Sequence, residues 1–127
     1  MQWLMVAFGG ALGAMARFGV LNYLAPIDAT RFPIGTLLIN VLGSFLMGVF
    51  YILIDQKLML SPEWRLLLMT GFLGAFTTFS TFSLDALLLW NSGLTTTALA
   101  YVLTTVIGCL FGITVAVFLA QKIFSTV

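Results

Sequence analysis

The sequence predicts an all-α membrane protein with four transmembrane helices in one domain, residues 1–127. Hydrophobic residues make up 61% of the chain and charged residues only 7%, whereas about 25% of a soluble domain is charged. The mean hydropathy is +1.16. A bilayer core about 30 Å thick requires about 20 apolar residues per helix. A chain of 127 residues therefore holds about four spans and no separate soluble domain.

Short polar segments separate the four apolar stretches. The predicted spans cover, in order, residues 3–24, 34–54, 63–90 and 96–124. Pro26 begins the first predicted loop, because proline disfavours the interior of a helix. Residues 55–62 form the second predicted loop, and Gly93 lies in a tight turn before the last span.

The charged and titratable residues exclude several functions. The net charge is +1, so no basic face indicates a nucleic-acid partner. The chain contains one cysteine, Cys109, and no histidine, which excludes an internal disulfide and a Cys/His metal site. With so few acids, no general-base constellation is present either, and we expect a protein that is not an enzyme.

The distribution of basic residues leaves the membrane orientation open. An even number of spans places both termini on one side, together with Lys57, Arg65 and Lys122, against Arg31 and Arg17 on the other. This bias is small for the positive-inside rule. One interpretation is a weakly oriented protein with its termini inside. The other is dual topology, in which copies insert both ways and pair antiparallel, as inverted repeats do in transporters.

The third span contains a segment poorly suited to a continuous helix. Residues 71–83 hold two glycines, five hydroxyl side chains and four phenylalanines. Gly71 and Gly74 weaken the helix, and the β-branched threonines that follow do not restore it. We expect a break between about residues 74 and 78. Such a break strands carbonyl oxygens that a small hard cation could satisfy.

Aromatic and hydroxyl side chains follow the expected break. Phe79 and Phe82 share a helix face, and their ring edges carry positive potential that can weakly stabilise an anion. Ser80 and Thr81 add hydroxyl donors. Weak, fixed stabilisation is what conduction requires, since the ion must also leave. Ordinary aromatic packing is the competing interpretation of the two rings.

Polar residues in the other spans each allow two interpretations. Asn40 offers amide donors to an anion, or it bridges helices. Arg17 concentrates anions at a pore mouth, or it extends to the membrane surface. Thr105 belongs to a hydroxyl stripe that lines a path or bonds to its own helix. Asp85 pairs with a cation or lies near the helix exit, and Cys109 is expected to be a small buried filler.

Three segments together resemble the Fluc family of fluoride channels. They are Gly71–Ser83 (GFLGAFTTFSTFS), Gly35–Asn40 (GTLLIN) and Gly13–Arg17 (GAMAR). The resemblance covers essentially the whole chain. It implies a passive, fluoride-selective channel that exports fluoride from the cytoplasm across the bacterial inner membrane. It also implies a dual-topology, antiparallel homodimer in the lipid bilayer.

The resemblance also implies site residues. The fluoride pathway would comprise Phe79, Phe82, Asn40, Ser80, Thr81 and Thr105. Arg17 matches the basic residue near the vestibule, and the backbone carbonyls of Gly74 and Thr77 match the ligands of a structural Na⁺ at the dimer interface. Two residues depart from the family pattern. Asp85 stands where glutamate is frequent, and Cys109 stands where serine is expected.

Two other classes remain as alternatives. A small proton-coupled multidrug exporter of dual topology would need a carboxylate within the membrane, and Asp85 is the only candidate. A membrane scaffold subunit would have no reason to retain a hydroxyl-rich, irregular segment in its third span.

Overall fold

The computed structural model describes residues 1–28, 32–57 and 60–124, and all regular elements in these residues are helical. Two of the elements are π-helical, named π1 and π2 here. The elements in chain order are α1 (Gln2–Asp28), α2 (Ile34–Phe50), π1 (Tyr51–Lys57), α3 (Pro62–Arg65), π2 (Leu66–Leu73), α4 (Gly74–Phe76), α5 (Phe79–Asn91) and α6 (Thr95–Phe124).

Four stretches are long and apolar enough to cross a membrane, which confirms a multi-pass, all-helical membrane protein. They are Gln2–Ala25, Ile34–Ile54, Pro62–Asn91 and Thr95–Phe124, called spans 1 to 4 below. The helical backbone extends beyond two predicted ends, to Asp28 in α1 and to Lys57 in π1. Pro26, which was expected to begin a loop, therefore lies inside α1. The internal hydrogen bonds of a helix do not require an apolar surrounding, so the helix can continue past the apolar stretch.

Glycines allow span 1 to pack closely against span 3. A Cβ atom on Gly9 would collide with the carbonyl oxygen of Leu67, and one on Gly13 would collide with that of Phe72. Gly71 approaches the backbone of span 1 in the same way. Close approach of backbones at small residues is the usual source of helix packing in membranes.

Span 2 packs extensively against span 4, through α2 and α6. A Cβ on Gly48 would lie 2.8 Å from the carbonyl oxygen of Ile113, and one on Gly112 would lie 3.4 Å from that of Val41. Spans 1 and 3 thus form one closely packed helix pair, and spans 2 and 4 form another. The irregular middle of span 3 lies where α1, α2 and α6 can all reach it.

Candidate functional site

Two residues in the middle of span 3 have extended backbone. The α-helix α4 ends at Phe76, and α5 begins at Phe79. Between them, Thr77 has φ −78° and ψ 159°, and Thr78 has φ −153° and ψ 117°. The Thr77 N–H still donates to the Leu73 carbonyl at 3.0 Å, but the helical hydrogen-bond ladder stops there, because extended residues cannot carry it further. The backbone groups beyond this point must find other partners, because no water is available in the bilayer core to bond to them.

The side chain of Asn40 pairs with both backbone groups of Thr78. Its Nδ2 donates to the Thr78 carbonyl at 3.0 Å, and its Oδ1 accepts from the Thr78 N–H at 2.8 Å. The paired contacts fix the orientation of the amide, since only the oxygen can accept from an N–H. The Asn40 amide therefore pairs with the backbone of Thr78 as a residue of a neighbouring β-strand would. One of its two N–H groups is used, and the second remains for another acceptor.

The Thr77 carbonyl receives a donor from span 1. In a regular helix it would accept from the N–H of Thr81, but that N–H donates to the Thr78 hydroxyl at 3.2 Å. The Arg17 Nη1 lies 3.4 Å from the Thr77 oxygen instead. Arg17 therefore contacts the extended segment directly, and its positive charge faces the carbonyl end of the preceding helical turn.

The Gly74 carbonyl also loses its regular helical partner. That partner would be the Thr78 N–H, which donates to Asn40. Gly74 is exposed in this single chain, so the oxygen lies near the surface of the bundle. Unwound carbonyl oxygens near the middle of a membrane are typical ligands of Na⁺ in transporters. The donor chemistry at Gly74 and Thr77 therefore fits a hard cation, with the second lone pair of the Thr77 oxygen still available.

Thr78 also begins the second half of span 3. Its hydroxyl oxygen accepts from the backbone N–H of Thr81, and the hydroxyl donates to the Thr81 Oγ1 at 3.1 Å. The Ser80 Oγ lies 3.2 Å from the same Thr78 oxygen. This is an N-cap, which satisfies one donor that the start of a helix leaves open. The hydroxyls of Ser80 and Thr81 are thus joined to the cap, and Ser80 is exposed.

Phe79 and Phe82 follow the cap in very different surroundings. The ring centroids are 5.4 Å apart with a tilt of 47°. Phe82 is 7% exposed and contacts Tyr101, again at 5.4 Å between centroids. Phe79 is 77% exposed in this chain. One ring is therefore built into the bundle, and the other is presented at its surface.

A cavity of about 370 Å³ lies beside the extended residues. Its lining comprises Asn40, Gly43, Ser44, Met47, Thr77, Thr78, Phe79, Phe82, Thr105, Val106, Cys109, Leu110 and Ile113. The described residues of this lining include no acidic or basic side chain. Thr105 is 4% exposed, and its Oγ1 has no hydrogen-bond partner in the described part of the chain. A buried hydroxyl without a partner is uncommon and marks a place where a ligand or water can bind.

A second, larger cavity of about 700 Å³ lies along α5. Its polar lining includes Thr36, Thr81, Asp85 and Ser92. The Thr36 hydroxyl donates to Asp85 Oδ2 at 2.8 Å, and the Tyr101 hydroxyl donates to the same oxygen at 3.3 Å. In residues 1–28, 32–57 and 60–124, Asp85 has no cationic partner.

The structure brings most of the predicted site residues together. Four of them line the smaller cavity: Asn40, Phe79, Phe82 and Thr105. Thr81 lines the larger cavity, and Ser80 is linked to it through Thr78. Arg17 contacts the Thr77 carbonyl. Sequence reasoning missed the central part played by Thr78, although a threonine directly before a helix is a recognisable N-cap signal.

Comparison with known proteins assigns the chain to a family. The family model described as CrcB-like protein, Camphor Resistance (CrcB), matches residues 4–117. The chain belongs to the CrcB family. A relative from Saccharophagus degradans, named fluoride-specific ion channel FluC, is 53% identical over 121 residues, which is 95% of this chain and 90% of the relative.

Two further relatives have the same name. The protein from Hahella chejuensis is 47% identical over 118 residues, covering 93% of each chain. The protein from Chelativorans sp. is 45% identical over 120 residues, covering 94% of this chain and 96% of the relative. The similarity therefore spans all four helices and both cavities.

Proposed function

We propose that this chain is a passive, fluoride-selective channel that exports fluoride from the cytoplasm and limits fluoride toxicity. The observation that carries the proposal is the smaller cavity, which combines an orphaned Thr105 hydroxyl, the Asn40 amide and the Phe82 ring. Relatives that are similar over nearly the full chain are named fluoride-specific ion channels. None of these relatives favours the alternative of a proton-coupled multidrug exporter, and a channel requires no enzymatic step.

The cavity supplies weak donors in place of hydration water. The Thr105 hydroxyl has no protein partner, and Asn40 keeps one N–H beyond the bond that it makes to Thr78. The edges of Phe79 and Phe82 add positive potential from the ring quadrupole. Among the described residues, no lysine or arginine lines this cavity, so a small anion is not held by a full positive charge. Modest binding at several sites allows an ion to enter and also to leave.

The remaining polar residues extend this path in both directions. Ser80 and Thr81 present hydroxyls on the turn that leads from the Thr78 cap, and Thr81 reaches the larger cavity. Arg17 lies at the other side of the extended segment, where its charge would concentrate anions near the mouth. Weak acid (HF) would enter the cell by diffusion and ionise inside, and the anion would leave through this path.

The working unit in this proposal is an antiparallel, dual-topology homodimer in the bacterial inner membrane. Phe79 is 77% exposed although it lies near the middle of span 3, next to the cavity. A second copy with the opposite orientation would cover it and complete the path. Four spans without an internal repeat cannot form an inverted pair of sites, whereas two such copies can.

A Na⁺ ion at the dimer interface belongs to the same proposal. Its ligands would be the carbonyls of Gly74 and Thr77 from both copies, because neither oxygen accepts its regular helical hydrogen bond. The ion would supply positive charge to these four oxygens where the extended segments of the two copies meet. Within one chain, the Arg17 guanidinium already places positive charge beside the Thr77 oxygen.

Fluoride efflux from liposomes that contain the purified protein tests the proposal. We expect rapid fluoride efflux, little chloride efflux, and loss of fluoride flux in Phe79→Ile and Phe82→Ile while the dimer still forms. Phe118→Ile is the matched control, because Phe118 lies on α6 and is 63% exposed, away from both cavities. Vesicles that leak fluoride no faster than protein-free lipid would refute the channel function, and normal flux in both site variants would refute the ring-edge mechanism.

A further inference from the structure

We propose that Asp85 is a positioning residue whose carboxylate holds Tyr101 against Phe82, and that it acts on anion passage through this ring contact rather than by touching the ion. The inference rests on the proposed function, because it concerns the pathway lined by Phe82. It assigns a role to a carboxylate that lies along the wall of the larger cavity.

A single oxygen of Asp85 ties three helices together. Asp85 belongs to α5, and its Oδ2 accepts from Thr36 of α2 at 2.8 Å and from Tyr101 of α6 at 3.3 Å. Hydrogen bonds to a charged acceptor are about twice as strong as neutral ones. The Oδ2 atom is the acceptor in both bonds, and the two hydroxyls are the donors. The carboxylate therefore fixes the relative position of α2 and α6 at the level of Tyr101.

The same tyrosine is the main aromatic support of Phe82. Tyr101 is fully buried, and its ring lies 5.4 Å from Phe82 with a tilt of 43°. Phe32 meets Tyr101 edge to face at 5.6 Å on another side. Phe82, Leu89, Ala98 and Tyr101 form one buried cluster. Movement of the Tyr101 hydroxyl by loss of its acceptor would be transmitted to the Phe82 ring through rigid aromatic packing.

A direct role for the carboxylate is the physical alternative. A negative charge on the wall of the larger cavity would repel an anion, and that effect would weaken as salt screens it. The positioning role predicts something different. If Asp85 acts through the Tyr101 hydroxyl, removing that hydroxyl should make the charge of Asp85 unimportant, because the link between them has already been cut.

A double-mutant cycle on fluoride efflux separates the two roles. Asp85→Asn and Tyr101→Phe are each expected to lower the maximal fluoride flux about tenfold. The double variant should be no worse than the poorer single variant. Asp85→Glu should retain most of the flux, because the carboxylate can still reach both hydroxyls. The half-saturating fluoride concentration, melting temperature and dimer fraction are expected to remain close to those of the parent protein.

The controls address folding and the loss of a hydroxyl in itself. Thr114→Val is matched to Thr36→Val, because Thr114 is exposed on α6 and bonds to Leu110 of its own helix at 2.7 Å. Thr36→Val should lower flux, whereas Thr114→Val should not. If Asp85→Asn does not assemble, the Thr36→Val and Tyr101→Phe cycle replaces it, since both donors meet at one oxygen, and non-additive losses are again expected.

The results that overturn the inference differ from those that overturn the channel. Additive losses in the cycle, or an Asp85→Asn effect that persists in the Tyr101→Phe background and fades with added salt, would establish a direct charge effect. Unchanged flux in Asp85→Asn with a conducting parent would also overturn the positioning role. A parent protein that does not conduct fluoride would instead refute the proposed function.

Discussion

Replacement of Asn40 by leucine tests whether one side chain holds the extended Thr78 in place. Asn40 and Thr78 are 8% and 6% exposed, and two hydrogen bonds of 3.0 and 2.8 Å join them. Leucine has a similar size and branching but neither donor nor acceptor. The substitution therefore leaves the N–H and the carbonyl of Thr78 without partners, with little change in the volume of the packed core.

The expected loss follows from these two backbone groups. A buried donor or acceptor left without a partner costs about 1–3 kcal/mol. Two such groups give a decrease of about 2–6 kcal/mol in the free energy of unfolding. The lower half of this range is the better expectation, because polar contacts measured in membrane proteins are weaker than this and average about 0.6 kcal/mol.

Equilibrium unfolding of the purified protein in mixed micelles, titrated with a denaturing detergent, measures this difference. The matched control is Asn22→Leu, the same chemical change at an exposed position of α1. We expect Asn22→Leu to unfold with the parent protein and Asn40→Leu to unfold well before it. If both variants unfold together, the paired contact with Thr78 does not stabilise the segment, and the physical account of the extended residues is wrong.

Three further predictions follow from the packing and the proposed cation. Gly13→Ala should prevent stable folding in detergent, because its Cβ would meet the Phe72 carbonyl, whereas Gly19→Ala should be tolerated, since nothing lies within 4 Å of it. Gly93→Ala should lower the melting temperature, because Gly93 has φ +77° and a side chain there costs about 1–2 kcal/mol. Replacing Na⁺ by a much larger cation should reduce the dimer fraction in cross-linking, and an unchanged fraction would count against the proposed ion.

Hydropathy and glycine spacing indicate much of the fold. The four spans could be predicted because the membrane imposes a length and an apolar composition on each helix. Gly9 and Gly13 lie four residues apart on one helix face, a spacing of small residues that is typical of close helix packing in membranes. In both cases the physical cause is local, and the structure places both glycines against carbonyl oxygens of span 3.

The partners within the site could not be predicted in the same way. Thr36 and Asn40 lie four residues apart and so share a face of α2, but this spacing does not reveal that one bonds to Asp85 and the other to Thr78. These pairs are 49 and 38 residues apart in sequence. Their formation depends on the angle between α2 and span 3, which is set by packing that a single sequence does not reveal. The π-helical turns of residues 66–73 are hidden for the same reason.

The hydrogen bonds that hold the extended segment also determine what it can offer to an ion. Arg17 donates to Thr77, Asn40 uses one N–H on Thr78, and the Thr78 hydroxyl serves the N–H of Thr81. The strongest donors near the proposed pathway are thus committed to the protein before any ion arrives. What remains is the Thr105 hydroxyl, the second N–H of Asn40 and the ring edges, all of which are neutral donors. A pathway assembled from these groups would compensate a small anion for only part of its lost hydration, and incomplete compensation at each position is what keeps an ion moving.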